Sequence, residues 1–276
     1  AHSWIEQMVN INSTGAYVGE FGYARSFSDK GLPGFDQNSN LYMLPPIATQ
    51  PPVINSSQFL CHPSQRTQTQ SANYPRLQVE PGNFFALKYA ENGHVTQPDQ
   101  LPGKPKFAGT TFVFGTTQPK EDEKIVDVLQ WTKDGSGGDK RGVILAAENF
   151  DDGRCYQLKA GNAISEERQQ KFPDPIQGQP GSQHEQLCET DVQLPEDAPV
   201  GKAYTLYWVW QWPTEGGHDP SLPNGKDEYY ITCMDVDVVK SVNEDVKPSH
   251  TLAQPDPQGT AVSDYQSRTA LVSDPI

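Results

Sequence analysis

Residues 192–213 read VQLPEDAPVGKAYTLYWVWQWP, and the second half of this stretch decides the fold. Bulky side chains recur there at every other position: Tyr204, Leu206, Trp208, Trp210 and Trp212. Successive side chains of a β-strand point to opposite faces, so these residues share one face. The prolines and the glycine before them mark a turn. The stretch therefore predicts a turn followed by a long strand whose aromatic face belongs to a core.

Similar strand patterns recur along most of the chain. The stretch DEYYITCMDVDVV at 227–239 predicts the next strand, with Tyr230, Met234 and Val236 on one face. Residues 20–58 are rich in Gly, Pro, Asn and Ser and predict a long loop region, and residues 160–186 predict a polar surface insertion. We predict the other strands at 3–11, 76–93 (strand, turn, strand), 109–117, 125–131 and 142–148, and one short helix at 163–172.

This pattern predicts an all-β fold, an immunoglobulin-like or fibronectin-like β-sandwich with long loops. We assign residues 1–240 to this single domain because no linker interrupts them. From about residue 241 the composition turns polar and proline-rich without periodicity. Residues 241–276 are therefore predicted to form a C-terminal extension that either wraps the domain or is mobile.

Composition narrows the class of partner. The chain has 276 residues and a formal net charge of −14 at pH 7. Nucleic-acid binding needs a basic surface, so this charge argues against a nucleic-acid partner, and it also opposes binding to anionic membranes. No apolar run approaches the roughly 20 residues that cross a membrane. We expect a soluble, secreted monomer.

Cysteine usage and two sequons support secretion. The chain contains four cysteines, Cys61, Cys155, Cys188 and Cys233. They lack zinc-site spacing, so two disulfides in an oxidising compartment are the better interpretation, and three pairings remain open. Sequons at Asn12 and Asn55 predict N-glycosylation. Ala1 is a residue type found at signal-peptidase cleavage sites, so we expect an already processed, extracellular chain.

Histidines are the residues that point to chemistry. The chain contains six of them: His2, His62, His94, His184, His218 and His250. His2 lies next to the amino terminus, where an imidazole and a terminal amine on one residue can chelate a metal ion. His94 lies in the loop ENGHVTQPDQLPGKP, which prolines stiffen. Nitrogen-rich, planar coordination suits Cu(II). We expect His62, His184 and His250 to be surface residues.

The strand at 227–239 carries a resemblance to a known family. In Glu228-Tyr229-Tyr230-Ile231-Thr232-Cys233, Tyr230 precedes Cys233 by three positions. This segment resembles the Gln-x-Tyr-x-x-Cys strand of the fungal, cellulose-active lytic polysaccharide monooxygenases, whose mature chains begin with a metal-binding histidine. The resemblance covers His2, the His94 loop and residues 192–238, and the middle of the chain is not well matched.

The resemblance implies one copper ion in a histidine brace. Its ligands would be the amine and imidazole of His2 and the imidazole of His94, with Tyr230 in the axial position. Glu228 stands where the family has a glutamine that assists the chemistry beside the metal, and His218 is a further supporting candidate. The implied activity is oxidative cleavage of the glycosidic bonds of a polysaccharide, with an external electron donor.

Two further statements follow from resemblance alone. The monooxygenase resemblance implies a disulfide between Cys61 and Cys233 and another between Cys155 and Cys188. The chain also resembles, more closely, a group of secreted fungal proteins of uncharacterised function that begin His-Ser-Trp and carry Asn-Gly-His-Val-Thr followed by Pro-Gly-Lys-Pro. Membership in that group would say little about activity.

Two features depart from the monooxygenase pattern. The chain begins with Ala1, so the His2 nitrogen is an amide unless Ala1 is removed, and Glu228 places a charge where the fungal class has glutamine. Two other interpretations therefore stay open. One is a copper-binding protein of the same fold without oxidative activity, serving copper uptake or the cell wall. The other is a metal-free carbohydrate-binding or structural wall protein.

Overall fold

The structure, a computed structural model, describes residues 2–98, 101–173, 184–248, 252 and 256–275. Ala1 and His250 lie outside the described residues, as do parts of the predicted insertion and extension. The helices are α1 Ile125–Val128, α2 Ala163–Lys171 and α3 Tyr265–Arg268. The strands are β1 Ile5–Ile11, β2 Tyr17–Gly22, β3 Met43–Leu44, β4 Leu77–Val79, β5 Phe84–Tyr89, β6 Thr110–Thr116, β7 Gly142–Asn149, β8 Cys188–Gln193, β9 Ala203–Gln211 and β10 Tyr229–Val238.

Two sheets face each other across one core. The first has the strand order β2-β1-β5-β8, and the second has the order β3-β10-β9-β6-β7, with β4 pairing to β10. Trp208 and Trp210 of β9 pack in this core with Ile5, Phe85 and Leu87 of the opposite sheet. The predicted all-β sandwich is confirmed, and the aromatic face of β9 lies in its core as the alternation predicts.

The opposite face of β9 is also buried, because loops and α1 cover the second sheet. Tyr207 and Val209 pack there with Leu60, Ile125 and Val128. The predicted strand at 125–131 is wrong, since residues 125–128 form the helix α1. Ile125 and Val128 are three positions apart, which places both on the buried side of one helical turn.

The sequence pattern does not predict strand β8, Cys188–Gln193. Its sequence CETDVQ is polar, yet Glu189 and Asp191 are fully buried. Arg154 lies 2.9 Å from the Glu189 carboxylate, and Arg268 lies 2.9 Å from the Asp191 carboxylate. Buried charges need such partners, and hydropathy cannot anticipate partners that come from distant segments.

The described part of the extension 241–276 packs on the outer face of the first sheet. Val262 and Tyr265 join Val9 and Ala86 in an apolar cluster on that face. The Ala261 amide donates a hydrogen bond of 2.9 Å to a loop carbonyl beside β2. Of the two alternatives for the extension, the described residues follow the one in which it wraps the sandwich.

Two disulfides join separate parts of the fold. Cys61 of a covering loop is bonded to Cys233 of β10, and Cys155 is bonded to Cys188 at the start of β8. These are the two pairs that the family resemblance implies. Among the described residues, no helix has the length and apolar character needed to cross a membrane.

Candidate metal centre

Both predicted histidine ligands line one depression of about 610 Å³ at an end of the sandwich. His2 reaches it from the segment before β1, and His94 from the loop after β5. Trp212, directly after β9, and Lys104 also line it. The fold thus brings together two histidines that are far apart in sequence.

Side-chain hydrogen bonds beyond the ends of two paired strands position His2. β1 runs antiparallel to β5, and side-chain hydrogen bonds extend this pairing beyond the strand ends. The Ser3 hydroxyl donates to the Ala90 carbonyl at 2.9 Å, and the Asn92 amide Nδ2 donates to the His2 carbonyl. The backbone of His2 is therefore held against the residues that precede His94.

A tight turn positions His94. Asn92 and Gly93 both have left-handed backbones, with φ of 48° and 84°, and the His94 amide donates to the Glu91 carbonyl at 3.0 Å. This geometry is that of a type I′ turn, for which Asn-Gly is the preferred pair. The buried Glu91 carboxylate then accepts a hydrogen bond of 2.7 Å from the Val95 amide. The turn that presents His94 is therefore fixed at both ends.

The His94 ring lies in an aromatic environment. Trp212 and Trp210 approach it edge-on, with ring centroids at 4.4 and 4.9 Å. Its Nε2 atom is buried and has no hydrogen-bond partner. Burial is the main cause that lowers the pKa of His94 to about 3, against the opposing charge of Glu228. A neutral imidazole results, which is the form that ligates metals.

The depressed pKa of His94 predicts a pH dependence of stability in the metal-free protein. Histidine in an unfolded chain titrates near 6.5, so the unfolded state binds the extra proton between that pH and about 3. Stability is therefore lost as pH falls through this window. Between pH 7 and pH 5 we expect this loss to be about 2 kcal/mol larger in the wild type than in His94→Gln.

The measurement is urea unfolding in chelator at both pH values. Comparing the two proteins cancels the carboxylates that also titrate in this range. Equal losses in the two proteins would contradict a buried, neutral His94.

Glu228 is the centre of a buried polar group beside the depression. Lys104 Nζ lies 2.8 Å from Oε2, Lys226 Nζ lies 2.9 Å from the same oxygen, and the Tyr230 hydroxyl donates to Oε1 at 2.7 Å. Burial alone would raise the pKa of Glu228, but the hydrogen bonds from Lys104 and Tyr230 outweigh it and lower the pKa. Glu228 is therefore an ionised carboxylate whose charge acts on both His2 and His94.

Tyr230, the predicted axial residue, contributes its hydroxyl to this group and packs its ring in the core. Its ring stacks on Trp210 with centroids 4.9 Å apart, and Trp210 also contacts His94. Burial and the charge of Glu228 raise the pKa of the Tyr230 hydroxyl well above its usual value, so it stays protonated and donates. Among the described residues that line the depression, Tyr230 and Glu228 are absent, whereas Lys104 is present and links the two regions.

The remaining predicted residues lie elsewhere. His218 is exposed, with Nε2 3.2 Å from a Glu215 oxygen, and His62 caps a short helical turn by accepting from the Ser64 amide. Neither lines the depression in the described part of the chain, nor does the half-buried His184.

The two sequon asparagines occupy local turns. The Asn12 side chain accepts hydrogen bonds from Thr14, and the Asn55 side chain accepts them from Ser57. Asn55 is exposed and Asn12 is half-buried.

Lys104 is the site residue that the sequence did not single out. It belongs to the PGKP segment, whose repeated turn residues indicated only a stiff loop. In the fold its ammonium donates to the Trp212 carbonyl at 2.9 Å and lies 3.6 Å from the centroid of the Trp212 ring. A lysine that anchors a loop onto a distant carboxylate has no local sequence signal.

A second cluster of side chains that could ligate a metal includes a disulfide. Asp152, Cys155 and Cys188 are the one set of three His, Cys, Asp or Glu side chains that converge within 4.8 Å in the described chain. The two cysteines form a disulfide, so they are not thiolate ligands. The histidine depression remains the candidate site.

Comparison with known proteins places the chain in a family. A family model described as a domain of unknown function, DUF7492, matches residues 1–263, and the chain belongs to that family. No curated protein matches it. The chain is similar to the crystal structure of a cellulose-active polysaccharide monooxygenase from M. thermophila, with 11% sequence identity and a TM-score of 0.35, over 99% of this chain and 96% of that chain. The family description names no activity.

Proposed function

We propose that this protein is a secreted, copper-dependent oxidoreductase of the lytic polysaccharide monooxygenase type, with one copper ion held by His2 and His94. One observation carries the proposal. The two histidines line the same depression, and the buried Nε2 of His94 has no hydrogen-bond partner. A buried polar atom without a partner is costly unless a ligand satisfies it.

The donor set fits copper. Two neutral imidazoles, with the His2 amine where the mature chain starts at His2, form a nitrogen-rich set of the kind that Cu(II) prefers. Bound copper supplies one-electron oxidation chemistry with dioxygen or peroxide. Tyr230 would be a further residue beside the copper and Glu228 a supporting residue.

The surrounding residues prepare the site for that chemistry. Trp210 and Trp212 pack edge-on against the half-buried His94 ring and shield part of it from water. Lys104 and Tyr230 hold the Glu228 carboxylate ionised and in one orientation. Such fixed charges are worth more in a dry site than in water.

The depression offers groups that suit a neutral glycan. Trp4 and Phe35 line it as aromatic side chains, and Gln37 and Gln157 line it as amides. Aromatic surfaces with a few polar groups bind and orient small molecules. We propose a polysaccharide substrate and an external electron donor on this basis.

A second candidate function has its own observation. Neither Tyr230 nor Glu228 is among the described residues that line the depression, and the Tyr230 hydroxyl donates a hydrogen bond to Glu228. The proposed oxidation uses both of these side chains beside the metal, whereas copper binding alone needs only the two histidines. The second candidate is therefore a non-oxidative copper-binding protein with the same two histidines.

We also propose an extracellular location with N-glycans at Asn12 and Asn55. Two disulfides support an oxidising compartment, because such bonds are rare in the cytosol. Asn55 lies in an exposed turn, where a glycan can be accommodated.

The proposal is tested by Cu(II) electron paramagnetic resonance on two proteins of verified mass, one starting at His2 and one at Ala1. We expect the form that starts at His2 to bind one copper with a three-nitrogen axial spectrum that the other form lacks. That form, with reductant, should then release oxidised oligosaccharides from at least one glycan of a broad panel. Copper binding without oxidised products would favour the second candidate, and absence of stoichiometric binding in both forms would leave a metal-free wall protein.

A further inference from the structure

Asn92 takes part in both structures that position the candidate ligands. Its backbone occupies the first left-handed position of the turn that presents His94. Its side chain donates from Nδ2 to the carbonyl of His2. One residue thus touches the backbone of one histidine and lies two positions before the other.

The chemistry of Asn92 is specific to these two tasks. Asparagine tolerates a left-handed backbone better than most residues, and here φ is 48°. Glycine and aspartate also tolerate that backbone, but glycine has no side chain and aspartate has no N–H to donate. Among these three residue types, asparagine alone both forms the turn and holds the His2 carbonyl.

The hydrogen bond from Asn92 to the His2 carbonyl affects the distance between the two histidines because His2 has less support than His94. His2 is exposed and precedes the first residue of β1, so the strand pairing by itself does not hold it. The turn that carries His94 is anchored by the Glu91 carboxylate, which also accepts a hydrogen bond of 3.0 Å from the backbone amide of Gln157. The turn that carries His94 is therefore fixed independently of the Asn92 side chain, whereas the position of His2 depends on the Asn92 hydrogen bond.

We propose that Asn92 is a positioning residue that sets the separation of His2 and His94 before a metal binds. The inference rests on the proposed copper site. Residues that orient metal ligands without touching the metal commonly change its affinity by about 10- to 100-fold when they are removed. The Asn92 side chain acts in this way through the backbone of His2.

The test uses Asn92→Gly and Asn92→Asp in the full chain starting at His2. Both variants keep a residue that accepts the left-handed backbone, so the turn remains while the hydrogen bond is lost. We expect Cu(II) affinity to fall by about 10-fold or more in Asn92→Gly, with an altered paramagnetic resonance spectrum. In the metal-free protein we expect faster amide hydrogen exchange at residues 3–5 in both variants.

Asn73→Gly is the matched control, because Asn73 is an exposed asparagine with a left-handed backbone, φ 68°, outside the residues that line the depression. It should change neither copper binding nor exchange at residues 3–5. Wild-type exchange in both Asn92 variants would overturn the proposal, as would wild-type copper affinity and spectrum in Asn92→Gly. If the wild type binds no copper while exchange still rises in the variants, the proposed function is wrong. The role of Asn92 in holding the His2 segment against the turn 91–94 would still be supported.

Discussion

His94→Gln is expected to lower the Cu(II) affinity of the form starting at His2 by more than about 100-fold. The substitution removes one of two imidazoles, and loss of a ligand costs more than the 10- to 100-fold that loss of a supporting residue costs. Glutamine retains a polar side chain of similar length, so the turn 91–94 has no new backbone requirement. Titration calorimetry and paramagnetic resonance measure the effect.

His218→Gln is the control for this prediction. His218 is also a loop histidine, but it is exposed, pairs with Glu215 and is not among the described residues that line the depression. We expect wild-type copper affinity in that variant. Unchanged affinity in His94→Gln, or an equal loss in both variants, would show that copper binds elsewhere and would refute the proposed site.

The second large effect concerns the ion pair between Lys104 and Glu228. Both side chains are 7% exposed, and their charged atoms are 2.8 Å apart. Removing one partner of a buried pair leaves an uncompensated charge, so we expect Lys104→Met to lower the free energy of unfolding by about 3 kcal/mol. This is the lower end of the usual range, because Lys226 still contacts the carboxylate.

A double-mutant cycle separates the pair from its surroundings. Lys104→Met combined with Glu228→Gln should cost less than the sum of the two single changes, with a coupling of about 1.5–3 kcal/mol. The exposed pair Lys171 and Glu167 on α2 is the control, and there we expect a coupling of no more than about 0.5 kcal/mol. Additive single effects at Lys104 and Glu228 would mean that the pair does not act as a unit.

The same pair of side chains also determines the charge balance around Glu228. Lys104 neutralises the Glu228 carboxylate at one oxygen without competing for the Tyr230 hydroxyl, which donates to the other oxygen. The double variant therefore has a neutral amide at 228 and lacks the Lys104 ammonium, while the half-exposed Lys226 remains. We expect its copper spectrum to be closer to that of the wild type than the spectrum of Glu228→Gln alone.

Much of the fold was predictable because its strands have a local period. The alternation in 203–212 and 227–239 identified β9, β10 and the face of β9 that lies in the core. The strand prediction for residues 125–131 was wrong because a short apolar run fits a strand or one helical turn equally well. Strand β8 was missed because its buried carboxylates are paired with Arg154 and Arg268, which sequence spacing does not link to it.

The sequence by itself determined the chemical types at the candidate site: two histidines in distinctive contexts, and a glutamate and a tyrosine on one strand. These signals are local, since each depends only on neighbouring residues. The tertiary structure alone decided that His2 and His94 line one depression, that Lys104 pairs with Glu228, and that the Tyr230 hydroxyl turns to Glu228. Those relations arise from strand pairing and loop packing between distant segments, and no local pattern encodes them.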